Sequence, residues 1–148
     1  MNWRRIRRFG FMLFAWNGLV AVHFALRLLG YRRLVRLLAR LSPAPVRDAY
    51  QPRARRAARL IERVTAWRIK PPGRCLTRSI LLWWSLRWMG IASLIRNGVR
   101  RNAGGDLEFH AWVEQGGIVV NDSPDHIAGF EPLWPALSPE SFIQHESR

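Results

Sequence analysis

The spacing of apolar residues changes once along this chain, at Met89-Gly90, and that change constrains the fold most. Before it, apolar residues recur every three to four positions, the helical period. After it they alternate over short stretches bounded by glycine pairs, the strand period. A chain whose helices all precede its strands predicts an α+β architecture, with the helices packed on one antiparallel sheet. At 148 residues it is long enough to bury one core without staples. Its single cysteine excludes an internal disulfide framework and a Cys-rich zinc site.

Residues 1–41 read as helix. The opening is basic, and residues 9–26 then form an 18-residue run with no formal charge. That is the lower edge of a membrane span, about 20 residues, and Gly10, Asn17, Gly18 and His23 interrupt it. A core or partner-facing helix is the expectation, with membrane contact as the alternative. A cleaved signal is disfavoured because no small-residue cleavage site follows. Leu34, Leu37, Leu38 and Leu41 predict the apolar stripe of an amphipathic stretch. A further helix is expected from Pro52, with Ala54, Ala57, Ala58, Ile61 and Val64 facing inward. After the turn Pro71-Pro72-Gly73-Arg74, residues 76–89 predict a strongly apolar central helix stopped by Gly90. Strands are expected over 92–99, 107–114 and 118–122, then an irregular tail packed by Phe130, Leu133 and Trp134. The division expected is a basic helical region, 1–70, packed on or docking to a core of 71–148.

Charge follows the same division. Residues 1–74 hold 18 basic and 2 acidic side chains, and residues 75–148 hold 6 and 8. Lys70 is the single lysine, so the cation is guanidinium, which pairs with phosphate and carboxylate in forked geometry. Arg53, Arg55, Arg56, Arg59 and Arg63 are expected as a solvated helix face, and nucleic acid is not an expected partner. A non-enzymatic basic adaptor for nucleic acid or anionic membrane is the alternative class. The spacing reveals no phosphate-cradling glycine loop and no metal-ligand cluster. No cofactor and no metal are expected.

Three residues carry candidate chemistry. Cys75 opens a helix, where free N–H groups and the dipole favour a thiolate, and Arg74 and Arg78 add positive potential. His110 and Asp122 lie on successive strands. A three-residue loop, 115–117, sets Glu114 opposite Ile118 and His110 opposite Asp122, within hydrogen-bonding reach. A two-residue loop would put them on opposite faces. Nucleophile, base and orienting acid then form a Cys-His-Asp triad. On the residues alone, Cys75 is equally a small buried hydrophobe, and His23, His126 and His145 are alternative bases. Trp112 is expected on the face away from His110, in the core.

The blocks Cys75-Leu76-Thr77-Arg78-Ser79, Met89-Gly90-Ile91-Ala92, Asn97-Gly98-Val99-Arg100, His110-Ala111-Trp112-Val113-Glu114 and Val120-Asn121-Asp122 resemble those of the lasso-peptide B2 proteins. These are transglutaminase-like cysteine peptidases. Leu29-Gly30-Tyr31-Arg32-Arg33-Leu34 resembles the same family, so the likeness spans most of the chain. Phe109 departs from the smaller residue expected before the histidine. The resemblance implies a transglutaminase-like, papain-like core with Cys75, His110 and Asp122 as catalytic triad. It implies removal of the leader from a ribosomally made lasso precursor, through a thioester that water resolves. It also implies partners: the precursor peptide, a separate leader-recognition protein called B1, and a lasso cyclase. A cytoplasmic location, with peripheral membrane contact through the first helix, completes the expectation. Cys75 N–H is the expected oxyanion donor, with Trp67 as a candidate second donor. Another transglutaminase-type acyl transferase is the neighbouring alternative.

Overall fold

A computed structural model describes residues 3–45, 52–66 and 74–133. Its elements run α1 (Trp3–Leu29), α2 (Tyr31–Arg40), α3 (Pro52–Ala66), α4 (Arg74–Trp88), β1 (Leu94–Arg101), β2 (Leu107–Gln115), β3 (Ile118–Val119), α5 (Pro124–Ile127) and β4 (Glu131–Pro132). Four helices precede an antiparallel sheet of order β3-β2-β1-β4, the α+β arrangement that the change of period predicts.

The expected helix over 1–41 divides in two. Gly30 has φ 72°, a left-handed value that costs glycine little and other residues more, and α2 leaves in a new direction. α2 buries Leu34, Val35 and Leu38, whereas Leu37 and Leu41 are exposed. Its inward stripe is therefore rotated from the expected one, and Val35 takes the place of Leu37. α3 buries Ala54, Ala57, Ala58, Ile61 and Val64, with Arg53, Arg55, Arg56, Arg59 and Arg63 outside.

α4 is the centre. Ile80, Leu81, Leu82, Trp83 and Leu86 are buried on it, packed with residues of α1, α2, α3 and the sheet. Where α1 crosses α4, Gly18 lies so close that an added Cβ would sit 2.8 Å from a Leu81 methyl. The glycine that weakens residues 9–26 as a membrane span is thus a packing device. α4 ends in a Schellman motif. Gly90 N–H donates to Arg87 C=O (2.9 Å), Ile91 N–H to Leu86 C=O (2.9 Å), and Gly90 has φ 71°. Ile91 and Leu86 are both buried, the apolar contact that accompanies this cap.

α1 is apolar on two sides. Ala15, Leu19 and Val22 are buried in the core. Leu13, Trp16, Val20, Phe24 and Leu28, spaced at three and four, form an exposed row. By length and composition, Met12–Leu29 is apolar enough to cross a membrane.

Ala111, Val113 and Gln115 of β2 are buried, and Val113 and Ile95 join the core that α4 organises. Trp112, Val119 and Phe130 form a second, smaller cluster. Phe130 and Trp112 close on the backbone of Gly98, where an added Cβ would lie 2.9 Å from each. Trp112 is buried as expected, but it stacks on His110 (ring centroids 6.1 Å, interplanar 22°). It therefore shares the face of His110 and does not oppose it, as side chains two residues apart on a strand do.

The segment after 122 is not irregular throughout. Ser123 caps α5, its Oγ accepting from His126 N–H (3.2 Å), and β4 pairs with β1 at Gly98 and Val99. Phe130 is buried and Leu133 is exposed, while Trp134 and the residues after it lie outside the described residues.

Candidate active site

The site forms where the start of α4 meets β2. Cys75 and Ser79 lie one turn apart on α4 and so face the same way. Ser79 Oγ donates to Ala111 C=O (3.0 Å), and the Ala111 N–H is hydrogen-bonded to the Cys75 sulfur. One residue of β2 is thus held by two side chains of α4. His110, the preceding residue, is hydrogen-bonded through its ring to the Cys75 thiol.

Asp122 comes from the opposite side. Its Oδ2 accepts from His110 Nε2–H at 2.5 Å, which leaves Nδ1 as the ring nitrogen toward the thiol. The register that brings it there is not the expected one. Glu114 pairs with Val119 and Gln115 with Ile118, so the loop is the two residues Gly116-Gly117. Both have positive φ, 57° and 75°, as a type I′ hairpin turn requires. That register alone would put Asp122 opposite Ala111, on the wrong face. The ladder ends first. Val120 N–H donates to Val113 C=O (3.0 Å), but Val113 N–H donates to the Asn121 side chain, Oδ1 at 2.7 Å. Asn121 substitutes a side-chain acceptor for the next strand carbonyl. The chain bends out of the sheet there and carries Asp122 around to His110.

The electrostatics follow from these contacts. The Cys75 thiol is held below its ordinary value, first by the hydrogen bond with His110; burial opposes this, and the His110 charge and the N–H groups of Ala111 and Leu76 add to it. The leading cause is therefore His110, and not the arginine potential expected from the sequence. His110 is raised, first by the bond to Cys75, against burial and with help from Asp122. For Asp122, burial pushes the carboxyl up. Hydrogen bonds from His110, Ser123 N–H and His126 outweigh it and leave the carboxyl below its usual value. Lowered thiol and raised imidazole together favour the thiolate–imidazolium pair.

The sign of the pH dependence follows. Activity resting on this pair rises with pH through the lowered thiol value and falls through the raised imidazolium value. The two apparent values belong to the pair. A plateau in kcat/KM wider than unperturbed Cys and His would give is expected; a rise beginning only at the pH of a free thiol would contradict it.

Three residues matter here that the triad argument omits. Ser79 clamps β2, and Asn121 bends the strand and donates from Nδ2 to Ser79 Oγ (3.2 Å). His126 donates from Nδ1 to Asp122 Oδ1 (2.9 Å). The i, i+4 spacing of Cys75 and Ser79 was the readable signal for the first. His23 lies on α1 beside Phe24 (5.7 Å between rings), and the described contacts of the thiol and Asp122 do not include it. Trp67 and His145 lie outside the described residues.

The open edge of β2 adjoins the thiol. Odd-numbered residues of β2 direct their backbone groups away from β1, as the bonds of Val113 and Ala111 demonstrate. Phe109 is the next odd position. Its N–H and C=O have no partner among the described residues, and its side chain is exposed.

Comparison with curated proteins and with solved structures finds no match. The family model described as the transglutaminase-like superfamily matches residues 18–135, from within α1 to just beyond β4. That match covers most of the chain, and the chain belongs to the transglutaminase-like superfamily.

Proposed function

We propose that this protein is a cysteine peptidase that removes the leader from a ribosomally made lasso precursor. One observation carries the reading above the rest: the Cys75 thiol is bonded to a histidine that Asp122 holds by its far nitrogen. The superfamily includes cysteine peptidases and acyl transferases, and both need this arrangement. Cys75 thiolate attacks the carbonyl of the last leader residue while His110 is protonated. His110 then gives its proton to the departing amine, and Asp122 keeps the ring oriented and stabilises its cation. The tetrahedral oxyanion lies near the start of α4, where Cys75 N–H donates. Water, deprotonated by His110, hydrolyses the thioester.

The open backbone edge at Phe109 supports a peptide as substrate. An extended chain pairs there by main-chain hydrogen bonds beside the thiol, with little demand on its side chains. The assignment to lasso precursors rests on the resemblance of the motif blocks around Cys75, His110 and Asp122. The partners that go with it are the precursor, a separate recognition protein B1 and a lasso cyclase, in the cytoplasm.

The test is product analysis by mass spectrometry. A lasso-type precursor peptide is incubated with the protein and a candidate recognition protein, with and without hydroxylamine. A single cut that adds one water, converted to hydroxamate when hydroxylamine is present, supports hydrolysis through a thioester. Amide product with a supplied amine, without hydrolysis, assigns the acyl-transferase reading instead. An uncut and unmodified precursor overturns both.

A further inference from the structure

Asp122 serves two histidines. Its Oδ2 accepts from His110 Nε2–H (2.5 Å) and its Oδ1 from His126 Nδ1–H (2.9 Å). The two rings meet edge to face, 5.0 Å between centroids, and Phe130 packs against both, at 5.2 Å and 5.7 Å. The spacing of these residues in the sequence discloses no metal cluster. The fold makes one: a nitrogen from each histidine and a carboxylate oxygen lie within 4.8 Å of one another.

We propose that His110, Asp122 and His126 bind a divalent transition-metal ion of the Zn²⁺ class, and that the bound ion switches the triad off. Two imidazole nitrogens and one carboxylate are a familiar donor set for zinc, with bonds of about 2.0–2.2 Å and an open fourth position for water. Those bonds need donors about 3.3–3.5 Å apart in a tetrahedral site. The present separations require the rings to part slightly from the carboxylate and the nitrogens to approach each other. His126 supplies most of the adjustment. Its side chain is 42% exposed, against 12% for His110 and 18% for Asp122, so it has the most room to turn, while the half-buried His110–Asp122 contact opens to admit the ion. Support around the ligands is already built. Ser123 N–H donates to Asp122 Oδ1 (2.8 Å), Ser123 Oγ fixes the backbone of His126, and Phe130 shields one side.

The consequence for the triad is a matter of tautomers. A metal on His110 Nε2 occupies the nitrogen that now donates to Asp122. The ring keeps one proton, and it sits on Nδ1, facing Cys75. A ring protonated at Nδ1 and metallated at Nε2 has no free nitrogen with which to deprotonate the water that resolves the thioester. Binding also removes Asp122 from its orienting role. Any further proton on the ring is released to solvent, so binding strengthens as pH rises. Inhibition rests on the peptidase reading; binding itself does not.

Co²⁺ titration tests the site on untagged full-length protein, with no peptide present. The Cys75→Ala chain is used first, which removes the competing thiol ligand. One equivalent should produce the visible absorption of four-coordinate Co²⁺ without a thiolate charge-transfer band, and Zn²⁺ should displace it. His126→Ala and His126→Gln should each weaken binding at least tenfold while melting as the parent does. Two results overturn the proposal. One is no cobalt spectrum in the Cys75→Ala chain, which puts any metal seen in wild type on the thiol–imidazole pair. The other is unchanged affinity in both His126 variants. With activity in hand, Zn²⁺ should suppress wild-type turnover more than tenfold and a chelator should restore it. A protein that binds Co²⁺ in this way but cleaves nothing retains the metal site and loses the peptidase reading.

Discussion

Replacing Cys75 with alanine is expected to lower kcat by about 10⁴–10⁶-fold and leave the melting temperature nearly unchanged. The size follows from the mechanism. Without the sulfur no thioester forms, and His110 and Asp122 have no nucleophile to activate, so the three residues fail as a unit. The small stability effect follows from the position. Cys75 is half-buried at a helix start, and the bonds that place β2 on α4 there include Ser79 Oγ to Ala111 C=O, which stays. Single-turnover cleavage assays beside thermal melts separate the two. Residual turnover within about tenfold of wild type would remove Cys75 from the chemistry.

The largest stability loss is expected at Trp83, far from that chemistry. Trp83 is fully buried in the middle of α4, with the Arg87 guanidinium 5.3 Å from its ring centroid. Trp83→Ala should cost about 3–5 kcal/mol, since the transfer energy of a large ring is lost and a cavity remains. Domains of this size hold about 5–15 kcal/mol in all, so the loss is about a fifth of the total or more. One opposing effect is present. The Trp83 Nε1–H is buried with no partner among the described residues, a cost of about 1–3 kcal/mol that truncation relieves. Trp83→Phe separates the two contributions. It keeps most of the ring and removes the orphan donor, so it should lie within about 1 kcal/mol of wild type. Trp88, 57% exposed on the last turn, provides the control, and its alanine variant should cost under about 1 kcal/mol. Urea unfolding monitored by circular dichroism measures all three.

Helix faces and the order of elements were legible in the sequence because they depend on local periodicity. α3 buries the five residues that its spacing marks, and Gly90 ends α4 as a glycine in that position does. Register was less legible. The contact between His110 and Asp122 and the pairing expected to create it come apart here. The hairpin is one residue tighter, and the wrong face that this implies is corrected by Asn121, whose side chain ends the ladder. A side chain competing with a backbone carbonyl leaves no periodic trace. Neither does His126, whose nearness to His110 depends on the cap at Ser123 and on the bend before it. The stripe of α2 rotated for a related reason. Leu37 and Val35 satisfy helical spacing about equally, and the direction in which α2 leaves Gly30 decides between them.

The two-sided apolarity of α1 governs how this protein can be handled. An outward row of Leu13, Trp16, Val20, Phe24 and Leu28 will drive association at high concentration, and more so in strongly salting-out buffers. The tempting remedy is to express the chain from Gly30 onward. That deletion would also remove Ala15, Leu19 and Val22 from the core and uncover Leu81, against which Gly18 is pressed. Solubility is better sought by polar replacement along the outward row, at Phe24 and Leu28 first, leaving the inward row to close the bundle.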